Sequence, residues 1–149
     1  MASVYTFGYT GKNLVATKEL LDNRFGDDYV VVDVRIKPWS KVNDWTKRRL
    51  ASVFGPTHYT HVRTFGNVNY RGGPIQIVDM KAGTAWVRQR IDRQPGVAFV
   101  FMCMEKNPVG CHRVTVAAHV AAYLDVEYYG EVDARSPDRT AAAQQAKLI

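Results

Sequence analysis

The residues with the greatest chemical potential cluster in the last third of the chain. Cys103 and Glu105 follow an apolar run, and Cys111, His112 and Arg113 follow a turn rich in Asn, Pro and Gly. A helix N-terminus and nearby cationic side chains lower a thiol pKa, and the thiolate is the nucleophilic form. We therefore predict that Cys111 is a reactive, catalytic thiol that Arg113 supports while binding substrate. A buried structural cysteine is the alternative.

Glu105 is predicted as a second catalytic residue. A carboxyl group at the end of a hydrophobic strand has a raised pKa when it is buried, which suits a general acid or base. The alternative is a structural ion pair with Arg35 or Arg113, because ion-pair networks also perturb pKa values.

Cys103 ends the apolar run and is predicted to be buried and inert. His112 is predicted to contact substrate or to bond a backbone group. Adjacent residues of a helix point about 100° apart, so we do not expect Cys111 and His112 to form a nucleophilic pair.

The same side chains offer ligands for zinc, with Glu105 or Asp33 as a fourth. Seven residues separate Cys103 from Cys111, which does not match the C-x₂₋₄-C spacing typical of structural zinc sites. The spacing therefore predicts no metal. A reversible disulfide between the two cysteines stays open, because it depends on geometry.

A second group of polar residues follows the earlier strands. Asp33 and Arg35 are two positions apart and share one face of a strand. A guanidinium can bind two oxygens at once, so Arg35 is predicted to hold a phosphate or carboxylate, with Asp33 either catalytic or orienting it. Gly8, Tyr9 and Ser40 are predicted to contact substrate. The short Gly-containing turn after the first strand matches no dinucleotide or phosphate-loop fingerprint, so no cofactor is predicted.

The elements that must position these residues alternate along the chain. Continuous β-branched or apolar runs are typical of strands that are buried on both faces. Strands are predicted at 4–7, 29–32, 59–62, 97–102 and 126–129, and helices at 13–21, from Ser40 or Asn43 to 54, 79–93 and 111–124. This alternation predicts an α/β fold, a mostly parallel sheet flanked by helices in a Rossmann-like three-layer arrangement. Such sheets bind ligands at the carboxyl ends of their strands, where these polar residues fall.

Composition limits the class of protein. The 149 residues are 46% hydrophobic and 23% charged, which excludes disordered, collagenous and coiled-coil proteins. We predict a single domain over 1–135 and a loose tail over 136–149. No apolar run suits a membrane span or a signal peptide, so the cytoplasm is the expected location. The oligomeric state stays open, with a homodimer as one option.

Charge indicates the kind of partner. Twenty Lys and Arg against fourteen Asp and Glu give a net charge of +6. Such a surface concentrates anions, so a nucleotide, a nucleic acid or another phosphorylated ligand is the predicted partner. Arg88, Arg90 and Arg93 are predicted to lie on the solvated face of a helix.

The motifs resemble those of a known family. The family pattern is GY near the start, then DVR-x-x-P-x-S, then C-x-E-x-x-P-x-x-CHR. The matching residues are Gly8-Tyr9, Asp33-Val34-Arg35 with Pro38 and Ser40, Cys103 and Glu105, Phe65-Gly66-Asn67 in a loop, and Cys111-His112-Arg113. Over about residues 4–129 the chain thus resembles the domain of unknown function 488 (DUF488) family. The resemblance implies a compact α/β domain without a settled activity. The chain departs from the pattern at Trp39 and at Glu127-Tyr128-Tyr129.

Three functions therefore remain in competition. The first is a small enzyme that acts on an anionic substrate, a nucleotide or nucleic acid, in a cleft lined by Cys, Glu and Arg. The second is a non-catalytic module that binds nucleic acid or a phosphorylated ligand. The third is a thiol redox or metal-responsive protein.

Overall fold

Strands and helices alternate along the part of the chain that the computed structural model describes, residues 1–132. The predicted tail at 136–149 and the end of the predicted domain lie outside the described residues. The strands are β1 (Ser3–Gly8), β2 (Tyr29–Asp33), β3 (Tyr59–His61), β4 (Ala98–Cys103) and β5 (Glu127–Glu131). The helices are α1 (Leu14–Phe25), α2 (Lys47–His58), α3 (Met80–Arg93) and α4 (His112–Leu124), with short 3₁₀ turns at Asn43–Trp45 and Arg63–Phe65.

The five strands form one sheet in the order β3-β2-β4-β1-β5, and every neighbouring pair is parallel. The predicted α/β fold with a three-layer arrangement is confirmed, and the sheet is parallel throughout. All carboxyl ends of the strands therefore meet at one edge, which brings together residues that are distant in sequence.

Two apolar clusters cover the two faces of the sheet. One packs side chains of α3 and α4 against the strands, including Val87 and Val116. The other packs α1 and α2, including Leu21 and Leu50. Because helices cover both faces, β2 and β4 are buried along their whole length. This double burial explains why their sequences are nearly continuous apolar runs rather than alternating ones.

Local side chains fix the helix ends. Asn13 and Asp79 cap α1 and α3 by accepting hydrogen bonds from backbone amides, as Asx residues commonly do. The second helix differs from its prediction at its start, where Thr46 caps it rather than Ser40 or Asn43. Its regular backbone ends at Phe54 as predicted, because Gly55 breaks it with φ 76° and ψ 170° before a short helical segment that reaches His58.

Arg90 corrects a prediction on α3. The side chain is buried rather than solvated, and its Nη2 donates to the Thr57 carbonyl at 2.8 Å. The Thr57 carbonyl in α2 thus accepts a hydrogen bond from an arginine that was predicted to lie in solvent. Arg88 and Arg93 are exposed, as predicted.

The edge strand β5 pairs with β1 with a register shift between Val4 and Thr6, which places Glu131 opposite Thr6. No helix within residues 1–132 has the length and apolar character that crossing a membrane would require.

Candidate functional site

A cavity of about 480 Å³ opens at the carboxyl edge of the sheet. Residues that follow β1, β2 and β4 line it, together with the start of α4 and a loop near residue 70. The lining residues are Tyr9, Arg35, Ile36, Lys37, Trp39, Asn67, Tyr70, Arg71, Cys103, Met104, Glu105, Gly110, Cys111 and His112. The cavity therefore lies at the carboxyl edge of the sheet, which is the edge where a ligand site was predicted.

Four potentially reactive side chains form a cluster in the cavity wall, and we refer to them as the Cys–Glu–His cluster: Cys103, Glu105, Cys111 and His112. The Glu105 Oε2 atom lies 3.2 Å from the Cys111 sulfur and 3.4 Å from the Cys103 sulfur. The Cys103 sulfur lies 3.7 Å from His112 Nδ1. Cys103 comes from the end of β4 and Cys111 caps α4, so two rigid elements hold the two thiols together.

The orientation of His112 comes from the sheet. Its Nε2 lies 2.7 Å from the carbonyl oxygen of Val34, just after β2. Only a protonated nitrogen can donate to a carbonyl, so Nε2 carries a hydrogen and Nδ1 faces the thiols. Although burial lowers the His112 pKa, its hydrogen bond with Cys111 raises it, and the net direction is upward.

At hydrogen-bond distance, His112 Nδ1 meets Cys103 and Nε2 meets the Val34 carbonyl. The prediction that Cys111 and His112 do not form a nucleophilic pair therefore stays a prediction. Cys111 is the N-cap, with extended backbone angles of φ −85° and ψ 136°, and its sulfur lies within 4.8 Å of the His112 ligand nitrogen.

The two thiols have opposite acid–base properties. A hydrogen bond from the Cys103 thiol lowers the pKa of Cys111 to about 5, and His112 and the Arg113 backbone amide contribute. The same thiol–thiolate bond raises the pKa of Cys103, and burial adds to the rise. Cys103 is buried as predicted, but it contacts the reactive groups, so the prediction that it is inert does not follow from its burial.

Glu105 forms neither of the two ion pairs that we considered. Although burial raises its pKa, hydrogen bonds from Cys111 and then Cys103 lower it below the usual value for a glutamate. The direction is opposite to the raised pKa that we predicted, because thiol donors stabilise the carboxylate. Cys111 acts as a donor only while its thiol is protonated, and Cys103 is the thiol donor beside Glu105 once Cys111 has ionised.

Arg35 lines the cavity, but Asp33 occupies its bidentate edge. The Nε and Nη2 atoms bind the two Asp33 oxygens at 2.8 and 2.7 Å. A two-oxygen grip on a substrate would therefore have to use the Nη1–Nη2 edge, and it stays a prediction. Nη1 also contacts the Tyr9 hydroxyl at 3.5 Å and the Trp39 carbonyl at 3.3 Å, and both of these residues line the cavity.

Asp33 is completely buried and does not line the cavity. Besides Arg35, it accepts a hydrogen bond of 2.6 Å from the Tyr59 hydroxyl. Burial and then the Asp33 carboxylate raise the pKa of Tyr59 above its usual range. These contacts favour the orienting role of Asp33 over the catalytic one.

Arg113 does not reach the cavity, which contradicts its predicted contact with substrate. Its side chain is fully buried, and Nη2 binds Glu131 Oε1 at 2.5 Å. Thr6 also donates to Glu131. The sequence did not single out Glu131, because the only available signal was an acidic residue in an otherwise unremarkable edge strand.

Gly8 and Ser40, both predicted to bind substrate, do not line the cavity. A Cβ atom at Gly8 would lie 1.6 Å from the Glu105 carbonyl oxygen, so the absence of a side chain lets the segment after β4 pack on β1. Ser40 accepts a hydrogen bond of 3.1 Å from the Val42 amide, which is a local turn contact.

The mouth of the cavity contains cationic residues that the motif search missed. Lys37 and Arg71 lie 5.5 and 5.4 Å from the ring centre of Tyr70. Hydrogen bonds from Lys37 and then Arg71 lower the Tyr70 pKa. For Tyr70 and Arg71 the available signal was the Gly- and Asn-rich segment 66–73, because long ordered loops often bind ligands. Lys37 had no such signal.

A scan against protein-family models, a search of curated proteins and a search of solved structures each found no match to this chain. The resemblance to the DUF488 family therefore stays a prediction that rests on the motifs.

Proposed function

We propose that this protein is an enzyme that acts on an anionic substrate with a planar ring, such as a nucleotide or one unit of a nucleic acid. The Cys–Glu–His cluster supplies the reacting groups, with Cys111 and Glu105 at the cavity surface. The proposal rests chiefly on one observation: this cluster shares a single cavity with a cationic and aromatic mouth.

The mouth suits a ligand that is both charged and flat. Lys37 and Arg71 supply positive charge, which attracts phosphate groups. Trp39 is 66% exposed, and Tyr70 is also exposed. Exposure of aromatic rings to water is energetically unfavourable. Aromatic side chains stack on nucleobases, which supports a base as the planar part of the substrate.

The position of the cluster supports catalysis rather than binding alone. A binding module needs no acidic group and low-pKa thiol beside its ligand, since both repel phosphate. Here a thiol whose pKa is lowered to about 5 and the Glu105 carboxylate line the same cavity as the cationic mouth. Perturbed groups in a cleft are typical of functional sites.

Binding can be tested by titrating the full chain with nucleoside monophosphates, short single-stranded RNA and inorganic phosphate, followed by tryptophan fluorescence. We expect the ring-containing ligands to bind more tightly than phosphate. Arg71→Gln should weaken that binding about tenfold, a loss of roughly 1.4 kcal/mol. Arg88→Gln is the matched control, because it removes the same charge from an exposed position on α3.

Equal weakening by Arg71→Gln and Arg88→Gln would contradict a specific site and indicate general charge attraction. Tight binding without turnover of any bound nucleotide or RNA would favour the non-catalytic module. Membership of the DUF488 family and a cytoplasmic location are part of the proposal and are not needed for this test, and the oligomeric state stays open.

A further inference from the structure

The donor atoms of Cys103, Cys111 and His112 lie close enough together to bind one metal ion. Tetrahedral zinc bonds of about 2.3 Å to sulfur and about 2.0 Å to nitrogen place a sulfur and a nitrogen about 3.5 Å apart and two sulfurs about 3.8 Å apart. The Cys103 sulfur lies 3.7 Å from His112 Nδ1, near the sulfur–nitrogen spacing. The Cys103, Cys111 and His112 donors all lie within 4.8 Å of one another.

The second coordination shell also suits a metal. Metal-bound histidines almost always donate their other ring N–H to a carboxylate or a backbone carbonyl. The bond from His112 Nε2 to the Val34 carbonyl does this and leaves Nδ1 directed at the two sulfurs. The ligand set is thiolate and imidazole, which favours zinc over magnesium or calcium.

Burial distinguishes the three ligands from Glu105. Cys103, Cys111 and His112 are buried, whereas Glu105 is exposed. Three fixed protein ligands with one exchangeable position are typical of catalytic zinc sites, while structural sites are closed. Water or substrate would therefore reach the metal from the side of the cavity where Glu105 lies.

We propose that Cys103, Cys111 and His112 bind a zinc ion whose fourth position is open to water or a substrate oxygen, with the Glu105 carboxylate beside it. This inference rests on the proposed function only for its catalytic consequence, and it makes Cys111 a metal ligand rather than an attacking group. The spacing argument against zinc applies to two cysteines on one short turn. Here the ligands come from a strand end and a helix start.

Cobalt(II) provides a direct test, because tetrahedral thiolate coordination gives intense visible bands and sulfur-to-cobalt charge-transfer bands. The full chain would be reduced, stripped with a chelator and titrated with cobalt and then zinc. We expect one cobalt per chain, thiolate bands, and displacement of cobalt by one equivalent of zinc. The chain has only two cysteines, so any thiolate band must come from this cluster.

Variants assign the bands to individual ligands. Cys111→Ser and His112→Gln should each weaken cobalt binding at least tenfold, and circular dichroism would verify that they fold. His119→Gln is the control, because His119 is exposed on the same helix. Glu105→Gln changes an exposed residue and should retain both thiolate bands with weaker affinity.

Zinc should also protect both thiols of the unmodified chain from iodoacetamide, which tests the site without any substitution. Absence of thiolate bands in the reduced chain, or alkylation that ignores zinc, would overturn the inference. Cobalt binding without nucleotide binding would leave the metal site intact and contradict the proposed function. Nucleotide binding without cobalt bands would support the proposed function and overturn the metal site.

Discussion

Two arginine–carboxylate pairs lie near the carboxyl edge of the sheet, and they differ in which partner is sealed. In the Asp33–Arg35 pair, the acid has no exposure and the arginine lines the cavity with 6% exposure. In the Arg113–Glu131 pair, the arginine side chain has no exposure and the acid is 31% exposed. The more deeply buried partner is thus the carboxylate in the first pair and the arginine in the second.

This reversal shows why residue type alone does not identify a ligand-binding arginine. Both arginines belong to the motifs, and both were predicted to hold the substrate. Only Arg35 reaches the cavity, and even there its bidentate edge is bound to Asp33. The location of each carboxylate decides whether its arginine faces a ligand or the interior.

The largest expected effect is the loss of stability on Arg35→Met. This substitution keeps much of the side-chain volume but leaves the sealed Asp33 carboxylate with only the Tyr59 hydroxyl among its described side-chain donors. Breaking a buried ion pair in this way costs about 3–5 kcal/mol of unfolding free energy. Urea denaturation followed by circular dichroism measures it.

Asp33→Asn is the counterpart for this pair. It leaves Arg35, with 6% exposure at the cavity wall, a remaining bond from Nη1 to the Trp39 carbonyl, so the expected loss is about 1–3 kcal/mol. An equal or larger loss for Asp33→Asn than for Arg35→Met would contradict the idea that the sealed partner decides the cost.

In the second pair the order should reverse. Glu131→Gln leaves the fully buried Arg113 guanidinium without this carboxylate, and we expect a loss of about 2–3 kcal/mol. Arg113→Met leaves Glu131 where solvent reaches it, so its loss should be smaller, about 1–2 kcal/mol. The same urea titration measures both losses of unfolding free energy, and equal losses for the two variants would contradict the reversed order.

The smallest effect concerns the hydroxyl groups around the first pair. Tyr59→Phe removes a 2.6 Å bond to the buried Asp33 and should cost about 1 kcal/mol. Tyr9→Phe is the matched control, because its hydroxyl lies 3.5 Å from Arg35, at the limit of hydrogen bonding. Its loss should stay within about 0.5 kcal/mol, and a larger loss than for Tyr59→Phe would show that the shorter bond is not the stronger one.

The layers of the fold could be predicted because strands that helices cover on both faces have a recognisable apolar sequence pattern. The continuous apolar runs of β2 and β4 arise from burial on both faces, which is a property of each segment by itself. The break in α2 after Phe54 was predictable from Gly55, whereas its start was not, because Thr46 caps the helix and Ser40 and Asn43 do not.

The site was predicted where its residues are grouped in sequence and missed where they are paired across the fold. Cys103, Glu105 and Cys111 are close along the chain and meet at the cavity. Glu131 meets Arg113 only through the pairing of β5 with β1, which includes a register shift. The contact of His112 with Cys103 joins the start of α4 to the end of β4, and helix limits are difficult to define from sequence.

The hydrogen bond that Val34 accepts has a consequence for protein engineering. Its acceptor is a main-chain oxygen, so every amino acid placed at that position would still present it to His112. The orientation of the imidazole therefore depends on the backbone path after β2 and not on the side chain of Val34. Redesign of this ring's geometry would have to displace the strand itself.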